Sequence, residues 1–527
     1  MKILYKIVTT SISLLILVAC GTVGTPSDNI NNESTAQEVT EALANGEVVF
    51  LLPSDPVSLD PHLTMDIISL ELERNMYSRL LMFYENNENY IELAPYLAES
   101  FEQVDPLTWV FNLRQDVLFH DGTPFDAYAA YINFVRVLNP DFASPRLFIL
   151  DIIDRVEIID EFSIRIITHF PFSPLPNNLA HSPHFVSPAA IAEEESGGRL
   201  VWENAVGTGP FKFVSQSFGD EIRLKRFYDF FRGPAQIAYL TYRIIPEPAT
   251  RLLLIEAGEA HATQITPTDA QLIENNQNIN LHLIESTRSI FLGFNNSRPP
   301  FNNQLLRQAV YYAINKEEIL QGIVEGFGTM AYGPVSPVIQ GAAQGLNLRP
   351  YNIELARELV IEAGFENGLD ITLYTNEGNS IQAMIMEYVQ ASLSRIGINA
   401  SLNIVEWGTF LEITANGIPD MFVHGWSTTT GDADYGIFML FHSSVPGGSG
   451  NRAHYSSPQV DDLLYKARSI TDLTERTELY TQISQILIDD AATIFLYYPF
   501  IPVATTGIDN IVIDFNGTSS FHNVVLQ

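Results

Sequence analysis

The chain has 527 residues, of which 46% are hydrophobic and 11% are aromatic. This composition excludes a globally disordered chain, and the length exceeds what one compact core holds, so we expect two or more lobes. The formal net charge of -34, from 28 basic and 62 acidic residues, argues against nucleic-acid binding and against docking of the folded body on anionic lipid.

The N-terminus has the pattern of an export signal. It opens with the basic stretch MKILYK and continues with IVTTSISLLILVA, which is apolar but short for a membrane span. LVAC at residues 17–20 resembles the lipobox of bacterial lipoprotein signal peptides. That resemblance implies removal of residues 1–19 and a diacylglyceryl group on Cys20, the single cysteine of the chain. A plain secretory signal with an incidental cysteine is the alternative.

Residues 20–46 are predicted to be a lipidated cysteine followed by a flexible tether. From residue 21 they are rich in Ser, Thr, Asn and Glu and poor in large apolar side chains. A flexible chain of this length has an end-to-end distance of about 25–30 Å. Two or more acyl chains hold a protein firmly on a membrane. We therefore expect an extracytoplasmic body, anchored to the outer face of the cell membrane.

The first half of the body is predicted to contain short strands and one early helix. EVVFLLP is a strand, and Leu70, Arg74, Tyr77 and Leu81 recur at helical spacing. LTWVFNLRQDVLF alternates like a strand, and VEIIDEFSIRIITHF indicates two strands around an acidic turn. FKFVSQSFGDEIRLKRF is predicted to be a hairpin with a Gly-Asp tip at residues 219–220.

Beyond about residue 290, helices and strands alternate. Asn352 can cap a helix that runs to Ala363 and ends at Gly364. Strands are predicted for DITLYT, INASLNIVEW and DMFVHGW, and a helix for IQAMIMEYVQASLSRIG. Asp472 and Glu475 have capping-box spacing for a further helix.

The lobes are expected to be joined by ordered strands. FLYYPFIPV is an apolar run long enough to cross from one lobe to another, and no Gly/Ser-rich linker interrupts the body.

Motifs of known enzymes are weak in this sequence. The run His120-Asp121-Gly122 lies between a strand and a helix, where Asp-Gly is ordinary turn chemistry. EGFGTMAYG has spaced glycines without the strand–helix context of a dinucleotide site, and there is no Walker lysine or nucleophile elbow. We therefore expect neither an enzyme nor a cofactor.

The stretch HGWSTTTGDADYGIFMLFHSS places two carboxylates, Asp432 and Asp434, among glycines and aromatic residues. Three explanations are open: a cap on the helix that GIFMLF predicts, a solvated turn, or an anionic anchor for a cationic ligand. Trp426, with Trp407 on a nearby strand, would give a ligand amine aromatic faces for cation–π contact.

A metal site is a rival explanation for the same region. His424, Asp432, Asp434, His442 and His454 lie within about thirty positions. None of them has the spacing of a preformed zinc site, and scattered histidines usually belong to the surface or the core. The metal explanation is therefore the weaker one.

A series of blocks from about residue 47 to the C-terminus gives a more specific indication. They are SLDPH (58–62), LAESFEQVDPLTWVFNLRQDVLFHDGTPF (97–125), VGTGPFKF (206–213), FLGFNNSRPPFNNQLLRQAVYYAINKEEI (291–319), IEAGFENG (361–368), EWGTF (406–410) and YSSPQVDDLLYKAR (455–468). In these blocks the chain resembles the extracellular solute-binding proteins that feed peptide and nickel ABC importers. TGDADYGIFMLFHSS is more similar to the oligopeptide- and glutathione-binding branch than to the nickel branch.

The resemblance implies an α/β, two-lobed periplasmic-binding-protein-like fold of type II, cluster C, with mixed sheets and a ligand cleft between the lobes. Lobe I would take residues 47–290, with an inserted subdomain at about 78–205. Lobe II would take 291–497, and 498–527 would return to lobe I. Two crossover strands, FLGFN and IFLYYPF, would join the lobes.

The resemblance also implies an amine anchor. In peptide-binding members an aspartate shortly after a Gly-Trp pair holds the α-ammonium of the peptide. Here the pair is Gly425 and Trp426, and Asp432 is the best match for the aspartate, with Asp434 as the alternative.

Other ligand contacts follow from the same resemblance. Trp407 and Trp426 match aromatic walls of side-chain pockets. Met65 and Asp66 match a first-lobe segment that pairs with the peptide backbone by strand-like hydrogen bonds, which give affinity without reading side chains. Many short-peptide binders also place an arginine for the ligand carboxylate after the loop TNEGNS, where this chain has Gln382. Either water and backbone hold that end of the ligand, or the ligand lacks a carboxylate.

The sequence thus predicts a monomeric substrate-binding lipoprotein of an ABC importer. It would capture di- or oligopeptides between two closing lobes and deliver them to a membrane permease, without covalent chemistry. The alternative is a carrier for a nickel or metal chelate, or for another non-peptide cationic solute.

Overall fold

The computed structural model describes residues 46–85, 91–448 and 450–527. The predicted signal segment, Cys20 and the tether up to residue 45 lie outside the described residues. Within the described ranges, no helix combines the length and the apolar character that crossing a membrane requires.

The strands of the described residues are β1 (Glu47–Leu52), β2 (Leu81–Glu85), β3 (Ile91–Pro95), β4 (Ala98–Asp105), β5 (Thr108–Leu113), β6 (Ile153–Asp160), β7 (Ser163–Thr168), β8 (Phe211–Ser217), β9 (Glu221–Arg226), β10 (Tyr239–Ile244), β11 (Ala262–Gln264), β12 (Asn280–Glu285), β13 (Arg288–Phe294), β14 (Gly328–Met330), β15 (Leu369–Asn376), β16 (Ile398–Val405), β17 (Met421–Ser427), β18 (Thr493–Thr505), β19 (Ile508–Asp509), β20 (Val512–Ile513), β21 (Ser519–Ser520) and β22 (Val525–Leu526).

The α-helices of the same residues are α1 (Ile67–Met76), α2 (Ala127–Leu138), α3 (Leu147–Leu150), α4 (Leu175–His181), α5 (Pro188–Glu195), α6 (Pro248–Glu256), α7 (Pro267–Ile273), α8 (Gln304–Ala313), α9 (Lys316–Gly322), α10 (Ile353–Glu362), α11 (Ser380–Ser394), α12 (Trp407–Ala415), α13 (Ala433–Phe441), α14 (Pro458–Ser469) and α15 (Leu473–Asp489).

A large mixed sheet runs through the body. Its strand order in the described residues is β16, β15, β17, β13, β18, β11, β1, β10, β9, β8, and β12 and β14 also pair with β18. β15 is parallel to β16 and β17, whereas β13 is antiparallel to β17 and β18. At the other end, β1 is parallel to β10 and β11. This mixed sheet with interspersed helices confirms the predicted α/β class.

Strand β18 belongs to both halves of this sheet. Its first residues pair with β13, from Thr493 opposite Gly293 onward, and its last residues pair with β12, ending at Thr505 opposite Asn280. The apolar run FLYYPFIPV is therefore a strand that crosses between the halves, as predicted. The exact residue limits of the two lobes stay a prediction.

The half of the sheet that contains β17 is covered on both faces. Met421 and Val423 pack with α11 in one core, whereas Phe422 packs with α12 and α13 in another. Because neighbouring side chains of a strand point to opposite faces, a strand with two covered faces is a continuous apolar run. This accounts for the buried sequence DMFVHGW.

Most predicted elements are confirmed. The hairpin of β8 and β9 turns at Gly219, where φ is +74°, and Asn352 accepts a hydrogen bond from the N–H of Leu355 at the start of α10. Asp472 caps α15 by accepting from the N–H of Glu475, 2.8 Å away. The early helical pattern is wrong at its end, because α1 stops at Met76 and the chain re-enters a strand at residue 81.

Candidate functional site

The predicted site residues of lobe II lie at one edge of the sheet. β15, β16 and β17 run in the same direction and end at Asn376, Val405 and Ser427. Ligands of open α/β sheets bind outside the carboxyl ends of such strands. The segments that follow these ends carry Gln382, Trp407 and the loop with the two aspartates.

The predicted position of Trp407 at the end of a strand is wrong, because Trp407 begins helix α12. Glu406 ends the extended segment because its carboxylate accepts a hydrogen bond from the N–H of Thr409, 3.0 Å away, and so caps α12. The indole of Trp407 stacks on Phe410 with ring centroids 5.8 Å apart and on His424 at 6.1 Å. The side chain of Trp407 is 45% exposed, and its role as a ligand contact stays a prediction.

Trp426 is half-buried at the end of β17 and takes part in a second aromatic group. Its ring stacks on Tyr435 at a centroid distance of 5.5 Å, and Tyr435 in turn lies 6.0 Å from Phe148 of α3. The indole Nε1 of Trp426 is buried and has no hydrogen-bond partner among the described residues. The Trp426 loop is thus packed against the predicted inserted subdomain.

A cavity of about 670 Å³ lies beside Tyr435, between the predicted inserted subdomain and helices α13 and α14. Most of its wall is aromatic or aliphatic, with the Asp434–Arg468 pair at one side. The residues around it include Phe148, Phe170, Phe172, Tyr435, Phe438 and Tyr465.

The loop between β17 and α13 also contacts Phe83, which lies in the predicted inserted subdomain. Gly431 has a φ of +66°, and a Cβ at this position would lie 2.9 Å from the ring of Phe83. The N–H of Ala433 donates to the carbonyl of Gln340 at 2.9 Å. The absence of a side chain at Gly431 therefore allows the loop to pack closely against the ring of Phe83.

Asp432 caps α13. Its Oδ1 accepts from the N–H of Asp434 at 2.9 Å and from Nη2 of Arg476 at 2.6 Å. The side chain is 1% exposed, and this burial raises the pKa of Asp432 although Arg476 opposes the shift. Oδ2 has no hydrogen-bond partner in the part of the chain that is described. The capping explanation is confirmed, and the solvated-turn explanation is wrong.

Asp434 has an arginine of its own. Arg468 donates from Nε to Oδ1 at 3.0 Å and from Nη2 to Oδ2 at 2.9 Å, a bidentate pair that is almost fully buried. The guanidinium carbon of Arg468 also lies 3.3 Å from the ring centroid of Phe438. Each carboxylate of the loop is thus matched by a guanidinium from α14 or α15, which sequence patterns did not signal.

The amine-anchor role of Asp432 and Asp434 stays a prediction. One explanation from the sequence was that these carboxylates bind the cation of a ligand. In the fold, however, each of them is paired with a buried arginine. The free acceptor that remains is Oδ2 of Asp432.

Gly425 makes room for an arginine that sequence reasoning missed. A Cβ on Gly425 would lie 2.5 Å from Nη2 and 2.8 Å from Cζ of Arg288, so the guanidinium occupies the space of the missing side chain. Arg288 begins β13 and pairs across the sheet with Ser427. A basic residue at the start of an apolar strand was the available signal.

In lobe I, the SLDPH segment is fixed by buried charges. Arg136 donates from Nη2 to Oδ2 of Asp60 at 2.8 Å, and its Nη1 lies 2.9 Å from Nδ1 of His62. Asp60 and His62 are fully buried. Burial lowers the pKa of His62 to about 4, which keeps this ring neutral at pH 7. The network fixes the chain that leads to Met65.

Met65 and Asp66 have different surroundings. Asp66 caps α1 by accepting from the N–H and Oγ of Ser69 at 2.9 and 2.7 Å. Met65 is half-buried against the core, and its backbone N–H and C=O have no hydrogen-bond partner among the described residues. The backbone of Met65 therefore has no partner in the described part of the chain, whereas the carboxylate of Asp66 is engaged in the cap.

Gln382 lies in the first turn of α11 and is 5% exposed; its N–H donates to the side chain of Asn379 at 3.0 Å. The histidines of the metal explanation do not converge. His424 stacks on Trp407, and His442 stacks on Phe438 at 4.2 Å. In the described ranges, no group of three or more His, Cys, Asp or Glu side chains is placed to hold a metal ion.

The turn interpretation of His120-Asp121-Gly122 is confirmed. Asp121 accepts from the N–H of Thr123 at 3.0 Å, and Gly122 has a φ of +86°. The ring of His120 instead contacts the backbone, with Nε2 3.0 Å from the carbonyl of Gly209.

Comparison with known proteins identifies the family. The sequence model described as "Bacterial extracellular solute-binding proteins, family 5 Middle" matches residues 92–448. The glutathione-binding protein GsiB of Pectobacterium atrosepticum is 31% identical over 473 residues, which are 88% of this chain and 90% of that protein. GsiB of Escherichia coli K12 is 32% identical over 464 residues, with 86% and 89% covered.

Solved structures agree with this result. HbpA2 of Haemophilus parasuis has a TM-score of 0.83 at 26% identity, and the match covers 92% of this chain and 100% of that one. The periplasmic binding protein DppA of Helicobacter pylori, in complex with the peptide STSA, has a TM-score of 0.76 at 28% identity over 91% and 98% of the two chains. The predicted two-lobed periplasmic-binding-protein fold is confirmed. This chain belongs to the bacterial extracellular solute-binding proteins of family 5.

Proposed function

We propose that this protein is the substrate-binding component of an ABC importer and that it captures short peptides. It holds the peptide between its lobes and passes it, chemically unchanged, to a membrane permease. The observation that carries the proposal is the similarity over most of the chain to proteins named for binding glutathione, itself a tripeptide, together with the peptide-bound relative of the same fold.

The site geometry supports a peptide ligand. The open N–H and C=O of Met65 suit the main chain of an extended peptide, because such hydrogen bonds do not depend on the side chains of the ligand. Trp407 and Trp426 add aromatic surface for side chains or for a ligand ammonium. Asp432 remains the candidate acceptor for that ammonium through Oδ2.

A metal chelate is the less favoured ligand. Four of the five acidic and histidine residues of that explanation have other partners: the two aspartates form ion pairs with arginines, and His424 and His442 stack on aromatic rings. The structure of the described residues gives no specific support to this second function.

The remaining parts of the proposal concern the setting of the protein. The lipid anchor at Cys20 would hold a monomer on the outer face of the cell membrane, within reach of the permease. Palmitate labelling of cells that express the wild-type chain or Cys20→Ser tests the anchor. We expect label only on the wild-type chain, and label on the variant would contradict the assignment.

The ligand class is tested with the chain from residue 20 carrying Cys20→Ser. Ligand released by denaturation is identified by mass spectrometry, and glutathione, di- to tetrapeptides and nickel–histidine are then titrated by calorimetry. We expect peptide in the released fraction and heat with at least one peptide class. Heat with nickel–histidine alone would overturn the proposal.

A further inference from the structure

Arg288, at the candidate site, is a cation for which the described residues provide no carboxylate and no hydrogen-bond acceptor. Its side chain is half-buried, and no hydrogen-bond acceptor or carboxylate contacts the guanidinium among the described residues. Burial lowers the pKa of Arg288, and the group that opposes this shift is the hydroxyl of Tyr497. By contrast, four other buried arginines each form an ion pair with a carboxylate. They are Arg136, Arg146, Arg468 and Arg476.

The location of Arg288 is as informative as its lack of a partner. The next residues on the same face of β13, Ile290 and Leu292, share a core with Ile385 and Val389 of α11. Because strand side chains alternate between faces, Arg288 extends that face to the edge where α11 begins. This is the edge that also carries Trp407 and Trp426.

The space for the guanidinium is built by its neighbour. Gly425 lacks the side chain that would displace it, and Tyr497 is buried beside it. A partly desolvated guanidinium without a counter-charge is costly, so an anion that reaches it gains a strong, charge-assisted pair.

We propose that Arg288 binds a carboxylate of the ligand. This inference rests on the proposed peptide function and specifies it: the preferred ligands are peptides with a free carboxylate at the end that enters beside Gly425. The planar guanidinium, held against Gly425, presents a pair of N–H donors that matches the two oxygens of a carboxylate. The source of the carboxylate is either the C-terminus or an acidic side chain.

The test compares ligands that differ only in charge. Trialanine, trialanine amide and the amide of Ala-Glu-Ala are titrated by calorimetry into the wild-type chain, Arg288→Gln and a control, Arg357→Gln. Arg357 is an exposed arginine of lobe II that pairs with Glu354 on its own helix. We expect the wild-type chain to prefer trialanine over its amide by about tenfold or more, and Arg288→Gln to lose that preference while Arg357→Gln keeps it.

The outcomes are distinct. If Arg288→Gln weakens only the amide of Ala-Glu-Ala, the carboxylate comes from a side chain and the assignment of Arg288 stands. If Arg288→Gln binds every probe as the wild-type chain does, the inference is wrong and the peptide function stands. If the wild-type chain binds none of these peptides or glutathione, the proposed function is wrong and the inference fails with it.

A second measurement separates binding from folding. An arginine that stabilises the fold lowers the melting temperature when it is replaced, whereas removal of an unpaired, partly desolvated cation does not. We expect Arg288→Gln to melt at the wild-type temperature or above it in the absence of ligand. A clear decrease in the melting temperature would assign Arg288 a structural role instead.

Discussion

At Asp432 one carboxylate serves two purposes. Its Oδ1 accepts from the first turn of α13 and from Arg476 of α15, so the same oxygen ends a loop and joins two helices. A buried ion pair of this kind contributes little net free energy relative to an apolar replacement, but losing one partner leaves the other charge uncompensated. Replacing Asp432 alone should therefore destabilise the fold mainly because the charge of Arg476 stays buried without a partner.

We expect Asp432→Ala to lower the free energy of unfolding by about 3–5 kcal/mol, because Arg476 is then buried without its carboxylate. Urea denaturation measures this loss. The double variant Asp432→Asn/Arg476→Met keeps a cap acceptor, removes both charges and should recover most of the stability. A loss below about 1 kcal/mol in Asp432→Ala would show that the pair is not intact in solution.

The same double variant tests the amine anchor. If peptide affinity is unchanged in the folded Asp432→Asn/Arg476→Met protein, the prediction that Asp432 holds the ligand amine is wrong. We expect a loss of about tenfold or more, since a charged acceptor is replaced by a neutral one.

The site residues show which features a sequence can reveal. Asp432 and Asp434 stood out because acids among aromatic residues are unusual, and one of three explanations, the cap, is confirmed. Their arginines could not be found, since Arg468 and Arg476 lie 34 and 44 positions away on helices with unremarkable patterns. Partners across such distances depend on the fold, not on spacing.

At the scale of elements, the sequence predicted helix starts correctly where a side chain can accept a hydrogen bond from the first turn. Asn352 and Asp472 both cap the helices that their positions indicate. The rules failed at Trp407, because the β-propensity of a tryptophan after an apolar strand competes with a cap that begins one residue earlier, at Glu406. The boundary between strand and helix is decided there by one hydrogen bond.

We expect Asp472→Ala to lower the free energy of unfolding by about 1 kcal/mol, because the N–H of Glu475 loses its acceptor at the start of α15. Thermal and urea unfolding measure the change. The matched control is Glu478→Ala, an exposed acidic residue further along the same helix that does not cap it. Equal effects in the two variants would contradict a specific capping role.

At the scale of the whole molecule, buried histidines make stability depend on pH. Burial lowers the pKa of each, to about 4 for two of them, to about 3 for another and well below the ordinary value for the other two. They are His62, His120, His424, His181 and His184. In the unfolded chain the pKa of histidine is about 6.5. Between these values the unfolded state binds more protons, so stability falls as the pH falls from about 6.5.

Two buried glutamates act in the opposite direction. Burial raises the pKa of Glu71 to about 8 and of Glu73 to about 6, so the folded state holds protons that the unfolded state releases. Five histidines against these two glutamates leave a net loss on acidification. We expect the free energy of unfolding to fall by about 1.4 kcal/mol or more per pH unit between pH 6 and 5.

Urea denaturation in 0.5 M salt measures this dependence while it screens exposed charges. A free energy of unfolding that is constant or rises from pH 6 to pH 5 would contradict the prediction. Replacement of one buried histidine, for example His120→Asn, removes one titrating group. If the folded state accepts the amide, the free energy of unfolding should then change by up to about 1.4 kcal/mol less per pH unit.

The fold class and the crossing strand followed from the order of elements and from the length of the run FLYYPFIPV. The separate four-stranded sheet of β4, β5, β7 and β6, which lies between β1 and β8 in the chain, did not follow from these patterns. Long-range pairings such as β1 with β10 join residues almost two hundred positions apart, and no local pattern specifies them.

Strand β18 has a mechanical consequence. Its pairing passes from β13, up to Tyr497, to β12, from Phe500, and β14 pairs with Tyr497–Pro499 between them. The connection between the two halves of the sheet is therefore a hydrogen-bonded strand and not a loop. If the two halves close around a ligand, we expect little additional backbone to become ordered. The conformational entropy lost on binding is then small compared with that of a protein whose halves are joined by a flexible loop.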